Sequence, residues 1–160
     1  MTRKEYNIAV DIYADNIYRF ALKHLKNEVL AQDVVQETFT KVWVKYEEVS
    51  YEKVKSYLFT TAYHAIVDSA KKESRSADVE NAPEHGVNPS IQFDVKEIID
   101  EALEKLPAIQ KSVVLLRDYE GYSYDEIAEI TELSEAQVKV YIFRARKTLK
   151  EYIKRLELVI

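Results

Sequence analysis

The stretch SYDEIAEITELSEAQVKVYIFRARK, residues 123–147, decides the fold of the C-terminal half of the chain. Ser123 stands three residues before Glu126, and Ser134 stands three residues before Gln137. A Ser followed three residues later by Glu or Gln is a capping box, which starts a helix by satisfying its first backbone N–H groups. Two such starts in quick succession leave room for a short helix, a turn and a longer helix. The pattern predicts a helix-turn-helix.

The longer of these helices has an apolar face and a basic face. Residues 138–160 hold seven basic and two acidic side chains. Cations around an aromatic ring suit a DNA major groove, where Lys and Arg pair with guanine edges or phosphates and Phe contacts a thymine methyl. On spacing alone, a solvated terminal helix explains the pattern equally well. At about 100° per residue, the core stripe comprises Val138, Ile142, Ala145, Leu149, Ile153 and Leu156, and the opposite flank comprises Lys139, Phe143, Arg146, Lys147, Lys150 and Lys154.

Two further helices are predicted before this motif. Apolar residues from Val95 to Leu106 recur every three or four positions, as on the buried face of a helix. Pro107 ends or restarts that helix, because a proline lacks the backbone N–H. The next helix, through residues 113–116, stops near Gly121, which suits a left-handed helix end.

A single break in the apolar periodicity divides the chain. Residues 77–92 read ADVENAPEHGVNPSIQ, with two of the three prolines, one of the two glycines, three acidic residues and no basic one. This is the composition of a flexible linker. We therefore expect an N-terminal domain at residues 1–76, an acidic linker, and a C-terminal domain at residues 93–160.

The composition excludes several classes of protein. The 160 residues include no Cys and two Gly, too few for a Gly-rich phosphate loop, a disulfide framework, a thiolate zinc site or a β-sandwich. No apolar run approaches the roughly 18 residues of a membrane span, and no charged-then-apolar leader begins the chain. We expect a soluble, cytoplasmic protein with an all-α fold of two small helical domains.

The net charge of −5 argues against a nucleic-acid partner only when it is taken as a total. Residues 1–76 carry 12 basic and 11 acidic side chains, whereas residues 93–137 carry four basic and twelve acidic ones. The acidic segments therefore hide the basic C-terminal helix. A net-negative chain binds DNA poorly by itself, which keeps it off random DNA until a larger partner holds it there.

The N-terminal half contains two helical runs with many aromatic residues. From Asp33, the run DVVQETFTKVWVKY places Phe39, Trp43 and Tyr46 at helical spacing. A second run, residues 54–70, is followed by basic residues. The tyrosines fit the walls of amphipathic helices, and a few beside a basic helix end equally fit stacking on unpaired bases.

Both halves together resemble the extracytoplasmic-function (group IV) sigma factors, the smallest specificity subunits of bacterial RNA polymerase. The resemblance implies a non-enzymatic protein that binds core polymerase, recognises the minus-thirty-five and minus-ten promoter elements and helps to melt DNA. It is carried by residues 31–39 through Trp43, Ser56 to Ala62 and Asp68 in the N-terminal half, and by Leu106-Pro107, 113–117, 120–128, Val138-Lys139 and Arg144 to Arg146 in the C-terminal half.

The resemblance also implies which residues bind. Contacts to the upstream element fall to Ser134, Gln137, Lys139, Phe143, Arg144, Arg146 and Lys147, with Arg146 and Lys147 on phosphate. Contacts to the melted element fall to Lys53, Lys55, Ser56, Tyr57, His64, Lys71 and Lys72. Contacts to the coiled-coil clamp of the polymerase fall to Asp33, Gln36, Glu37, Phe39 and Trp43.

The sequence departs from the family pattern at several of these positions. His64 stands where the family has Asn, and Lys71 and Lys72 stand where arginines are common, which keeps the charge but loses bidentate geometry. Glu132 occupies the turn position that usually has Gly, so we expect a left-handed backbone there at a cost of about 1 kcal/mol.

Two functions from other classes compete with this interpretation. An enzyme is disfavoured because His24, His64 and His85 are scattered, so we predict no catalytic residue, cofactor or metal site. A free repressor would bind an operator as a dimer and would have no use for the surface from Asp33 to Trp43. The resemblance adds a probable inhibitory anti-sigma protein as a partner of both domains, without membrane insertion of this chain itself.

Overall fold

The computed structural model describes residues 1–77 and 95–159, and the side chains of residues 1–72 and 95–157. Within these ranges the chain is helical and has no strand, which confirms the predicted all-α class. Seven α-helices are described: α1 (Arg3–Leu25), α2 (Glu28–Val44), α3 (Val54–Ala77), α4 (Val95–Glu104), α5 (Ala108–Val114), α6 (Tyr124–Thr131) and α7 (Glu135–Val159). The predicted linker lies, apart from Ala77, outside the described residues.

The N-terminal half consists of α1, α2 and α3 around a shared core. Thr2 and Glu5 form a capping box at the start of α1, and the Asn27 side chain accepts a hydrogen bond from the Leu30 N–H at the start of α2. Two short 3₁₀ turns, Tyr46–Glu48 and Tyr51–Lys53, lead into α3. The most deeply buried residues of this core include Ile17, Phe20, Ala31, Val42, Leu58, Phe59 and Ala62.

The C-terminal half contains the predicted helix-turn-helix, formed by α6 and α7. The Ser123 hydroxyl accepts a hydrogen bond from the Glu126 N–H at the start of α6. Glu132 has φ +60°, so the left-handed turn expected there is confirmed. Ser134 and Gln137 then exchange two hydrogen bonds, 2.9 and 3.1 Å, and complete the second capping box.

The predicted core stripe of α7 is right for its first half and wrong for Ile153. Val138, Ile142 and Ala145 are buried, whereas Ile153 is 38% exposed. The last turns meet α4 through a neighbouring face instead, where the Tyr152 hydroxyl donates a hydrogen bond to Glu101. The apolar stripe of α7 therefore continues along the helix beyond the last residue at which another helix covers it.

The two halves pack against each other, and their buried residues form one continuous cluster. The contact, which we call the seam, joins α3 to α6 and α1 to α5. Tyr122 lies at its centre with 1% of its surface exposed, and its ring meets the Phe59 ring edge-on at 5.3 Å. The two halves thus form one packed unit, and the exposed helix faces of both lie on its outside.

Candidate nucleic-acid interface

The exposed face of α7 carries the basic and aromatic residues that the sequence placed there. Phe143 is 69% exposed, and Lys139, Arg144 and Lys147 are exposed beside it. A groove of about 560 Å³ runs between this face and the start of α6, lined by Tyr124, Lys139, Ile142, Phe143, Arg146, Lys147 and Lys150. A cationic groove with an exposed ring at its edge has the chemistry of a duplex-binding surface.

Ser134 and Gln137 have a structural role at the start of α7. Each side chain accepts a backbone N–H of the other residue, as described above, so both are engaged before any ligand arrives. Both remain exposed. Their predicted contact with DNA stays a prediction.

Asp118, Arg117 and Tyr124 lie near the predicted upstream-element surface, but the sequence did not predict them as binding residues. Asp118 accepts two hydrogen bonds from the Arg146 guanidinium, at 2.5 Å to Nη2 and 3.3 Å to Nε. The bond to Asp118 raises the pKa of Arg146, and the Tyr124 phenol adds to the shift. Arg117 lies 4.5 Å from the centre of the Tyr124 ring and donates a 2.8 Å hydrogen bond to the Tyr122 carbonyl.

A second surface lies where the end of α2 meets α3. A cavity of about 350 Å³ is lined there by Lys41, Val44, Lys45, Tyr57, Thr61 and His64. Sequence reasoning singled out Tyr57 and His64 but not Lys41, Lys45 or Thr61. The signal was present as helical spacing, because positions 41, 44 and 45 share one face of α2, and positions 57, 61 and 64 share one face of α3.

The other residues predicted for the melted element are dispersed. Lys53 is exposed in the second 3₁₀ turn, and Lys71 and Lys72 are exposed near the end of α3. Lys55 points into the seam, where its ammonium lies 4.5 Å from the centre of the Tyr122 ring and 3.4 Å from the Glu120 carbonyl oxygen. Next to Lys55, Ser56 is partly buried. The structure therefore unites only part of the predicted set.

His64 also contacts the helix-turn-helix. Its Nε2 lies 3.5 Å from Glu132 Oε1, and both side chains are largely exposed. Two of the positions at which the sequence departs from the family pattern, His64 and Glu132, thus meet across the seam. A polar contact at such an exposed site contributes little stability, about 0–1 kcal/mol.

The face of α2 predicted to bind polymerase is exposed except at Phe39. Asp33, Gln36 and Glu37 are exposed, and Trp43 is 42% exposed. Only 8% of Phe39 is exposed and its ring packs edge-on against Tyr6, so the predicted contact of Phe39 with polymerase stays a prediction. Trp43 stacks on Tyr46, with 4.9 Å between the ring centres. Phe39 therefore packs beneath the exposed face of α2, and Trp43 lies at the end of that face.

Two basic groups of the seam have paired partners: Lys111, which is buried, and His24, which is partly buried. Lys111 is 5% exposed; it forms an ion pair with Glu104 and donates a 3.3 Å hydrogen bond to the His24 carbonyl. The Ser112 hydroxyl lies 3.1 Å from His24 Nε2. Desolvation, and then the charge of Lys111, lower the pKa of His24 to about 3. His24 is therefore neutral at ordinary pH and packs as a polar core residue.

The described residues show no cluster of His, Cys, Asp and Glu that would hold a metal ion. None of the helices in those same ranges is both long enough and apolar enough to cross a membrane.

Comparison with known families defines the class of this fold and these surfaces. Residues 9–76 match the family model for Sigma-70 region 2, and residues 96–149 match that for Sigma-70, region 4. A chain that carries both regions is a promoter-recognising sigma factor of RNA polymerase.

Similar chains give the particular family. The chain is 29% identical over 153 residues to the ECF RNA polymerase sigma factor SigM of Bacillus subtilis, which covers 90% of this chain and 92% of SigM. It is 28% identical over 140 residues to SigV of the same organism, with 86% and 84% covered. The chain belongs to the extracytoplasmic-function (ECF) sigma factors, which are non-enzymatic initiation factors.

Solved structures share the fold. The sigma factor RpoE of Bartonella quintana, in complex with the anti-sigma factor NepR, superposes with a TM-score of 0.80 at 24% identity, covering 94% of this chain and 98% of that one. CnrH, in complex with the cytosolic domain of CnrY, superposes with a TM-score of 0.71 at 20% identity, covering 96% and 90%.

Proposed function

We propose that this sigma factor binds core polymerase in the cytoplasm through α2 and reads promoter DNA with two separate surfaces. The exposed face of α7, with Phe143 at 69% exposure, is the observation that carries the assignment for the upstream element. The cavity between α2 and α3 suits an unpaired base, because it combines the Tyr57 ring with two lysines.

The melted-element surface extends beyond the residues first predicted. Lys41 and Lys45 approach the phosphates of the displaced strand, and His64 offers hydrogen bonds or stacking to a base. Lys41 is held by Glu37, 2.8 Å away, so its charge is partly balanced in the free protein. This assignment predicts that polymerase binding at Glu37 and DNA binding at Lys41 are adjacent on α2.

Promoter binding requires the seam to open. Lys55, which belongs to the predicted melted-element set, contacts both Tyr122 and Glu120, so it cannot reach DNA from that position. Residues 1–76 and 93–160 act as separate domains once polymerase holds them apart. The packed arrangement is the form of the free protein.

An anti-sigma protein is the second partner that we propose. Two similar solved structures are complexes: RpoE with the anti-sigma factor NepR, and CnrH with the cytosolic domain of CnrY. A partner that binds both halves at once would hold the seam closed, since separation of the halves would then break its own contacts. Its binding would be detected as competition with core polymerase.

The decisive experiment tests the acidic face of α2. Asp33→Arg with Glu37→Arg should abolish binding to purified core polymerase and run-off transcription from a genomic promoter library. Asp11→Arg with Asp15→Arg is the matched control, since both pairs are four residues apart and exposed on a helix. Unchanged core binding in the first variant would refute the assignment, and a dimer that binds an operator without polymerase would favour a repressor.

A further inference from the structure

Asp118 is an acidic residue beside the basic face of α7, where it pairs with Arg146. It lies in the short π-helical turn Leu115–Tyr119 that follows α5, and its carboxylate accepts from both Nη2 and Nε of Arg146, in the middle of α7. The side chains are 49% and 39% exposed for Arg146 and Asp118. A carboxylate that accepts two parallel hydrogen bonds from a guanidinium has the same bidentate geometry as a phosphate bound to a guanidinium.

The position of Asp118 is fixed by its neighbours. Arg117 donates to the Tyr122 carbonyl at 2.8 Å and stacks against the Tyr124 ring, which ties this turn to the start of α6. Lys139 approaches the same ring from α7, with its ammonium 5.6 Å from the ring centre. Tyr124, which contributes to the raised pKa of Arg146, is thus itself contacted by Arg117 and Lys139, so the surroundings of the Asp118–Arg146 pair are ordered by neighbouring contacts.

The Arg146 guanidinium opens on the groove that we assign to the duplex. Two effects follow from its pairing with Asp118. The pair holds the guanidinium in a bidentate orientation, and it removes one positive charge from the field that attracts any polyanion. A DNA phosphate must displace Asp118 before Arg146 contributes to binding.

We propose that Asp118 is a positioning residue that occupies Arg146 as a phosphate surrogate and screens the α7 face against non-specific DNA. The proposal rests on the assignment of α7 to DNA binding. It names a role for Asp118 in specificity: a duplex in the correct register replaces the carboxylate with a phosphate, whereas a random duplex gains less from Arg146.

The test measures salt dependence in the full chain. With a random-sequence 20-base-pair duplex, fluorescence anisotropy gives the affinity from 50 to 300 mM salt. Asp118→Asn should bind about 3- to 10-fold more tightly at the low-salt end, and the slope of log affinity against log salt should steepen by about 0.9, the value for one added phosphate contact. Glu129→Gln is the control. Like Asp118→Asn it removes one exposed carboxylate, but Glu129 lies in α6.

A double-mutant cycle separates this role from a general charge effect. Arg146→Gln should change the random-duplex affinity less than 2-fold in the wild-type background and should cancel the whole gain in the Asp118→Asn background. Thermal unfolding of each variant checks that the helices remain folded. A gain that persists without Arg146, or one that Glu129→Gln reproduces, overturns the proposal.

A parallel titration with heparin separates the proposal from the DNA-binding assignment. Heparin is a polyanion that needs no promoter recognition, so Asp118→Asn should strengthen its binding through Arg146 even if α7 does not contact promoters. If Asp118→Asn increases the affinity for heparin but not for the duplex, the DNA-binding assignment of α7 is refuted. Asp118 then only screens the charge of Arg146. No gain on either polyanion overturns the screening role itself.

Discussion

The Arg19 guanidinium lies 2.9 Å from the Glu120 carboxylate, although 101 residues separate them in the chain. Arg19 belongs to α1 and Glu120 to the turn before α6, so this ion pair spans the seam. The Glu120 side chain is 3% exposed, whereas that of Arg19 is 46% exposed. Removal of Arg19 therefore destabilises the fold more than its own exposure suggests, because it leaves the buried Glu120 carboxylate without hydration and without a partner.

Arg19→Ala should destabilise the protein by leaving Glu120 without its ionic partner. The expected loss is about 1–3 kcal/mol, the range for a buried polar group left without its partner, or a fall in melting temperature of about 2–12 °C for a chain of this size. Circular dichroism on heating measures it. Arg155→Ala, exposed near the end of α7, is the control and should shift the melting temperature by less than about 1 °C.

The double variant Arg19→Ala with Glu120→Gln tests the cause. Removing both charges should recover part of the stability lost in Arg19→Ala, because the buried carboxylate is then replaced by a neutral amide. A double variant that is less stable than Arg19→Ala by the full amount of Glu120→Gln alone would show that the two residues act independently.

His24 makes the stability of the protein depend on pH. Its pKa is about 3 in the folded protein and about 6.5 when unfolded, because desolvation and then Lys111 disfavour the charged ring. The unfolded state binds the proton more tightly, so the stability from neutral His24 is complete above about pH 6.5 and is lost as the pH falls toward 3. Between pH 7 and pH 5 the loss is about 2 kcal/mol.

Urea denaturation at pH 7 and pH 5 measures this term. Carboxylates titrate in the same range, so the informative quantity is the difference between wild type and His24→Gln, which should lose the His24 contribution. His64→Gln is the control at an exposed histidine. Equal pH dependence in wild type and His24→Gln would contradict the assignment.

Local signals in the sequence predicted the elements of the C-terminal half well. The Ser and Gln of the second capping box make both of the expected bonds, and Glu132 adopts the expected left-handed backbone. These predictions succeed because a helix start, a helix end and a turn depend on residues within about four positions. The same holds for the exposed face of α7, which follows from helical spacing alone.

The seam and the helix α1 were outside the reach of such signals. The buried positions of α1 are interleaved with tyrosines, such as Tyr13 and Tyr18, that are only partly buried, so its apolar stripe is weak. The ion pair between Arg19 and Glu120 leaves no periodicity to detect, since its members are distant in sequence. For the same reason Lys55 was assigned to DNA, although in the packed form it contacts Tyr122.

Replacing either of two non-glycine residues in the left-handed region by glycine should stabilise the protein or leave its stability unchanged. Lys26 has φ +53° at the end of α1, and Glu132 has φ +60° at the end of α6. Because an L residue pays roughly 1–2 kcal/mol in this conformation, Lys26→Gly and Glu132→Gly should each be neutral to stabilising, by up to about 1 kcal/mol. Chemical denaturation measures both, and Lys45→Gly, at a helix end with negative φ, is the control that should not gain.

The two variants should differ in a specific way. Glu132→Gly also removes the contact to His64, whereas Lys26→Gly removes an ion pair with Glu104 at 3.7 Å. Both contacts are exposed and contribute little, so the backbone term should dominate in each. A loss of more than about 1 kcal/mol in either variant would show that the side-chain contact outweighs the backbone strain.

Tyr122 is the residue whose removal should open the seam. Its ring fills the space against Phe59, its hydroxyl donates a 3.3 Å hydrogen bond to the Lys55 carbonyl, and burial raises the pKa of its phenol. Tyr122→Ala should cost about 3–5 kcal/mol, as for other large buried aromatic residues. Because the ring joins α3 to the turn before α6, much of that loss should appear as separation of the halves.

Small-angle scattering and hydrogen exchange distinguish separation from unfolding. Tyr122→Ala should enlarge the radius of gyration and speed exchange at the seam, while circular dichroism still shows helix in both halves. Tyr122→Phe keeps the ring and should remain closed, at a cost of about 0.5–1.5 kcal/mol. Because polymerase must hold the two halves apart, Tyr122→Ala, whose halves are already separate, should also bind core polymerase faster than Tyr122→Phe; equal association rates would mean that the packed form does not restrain the protein.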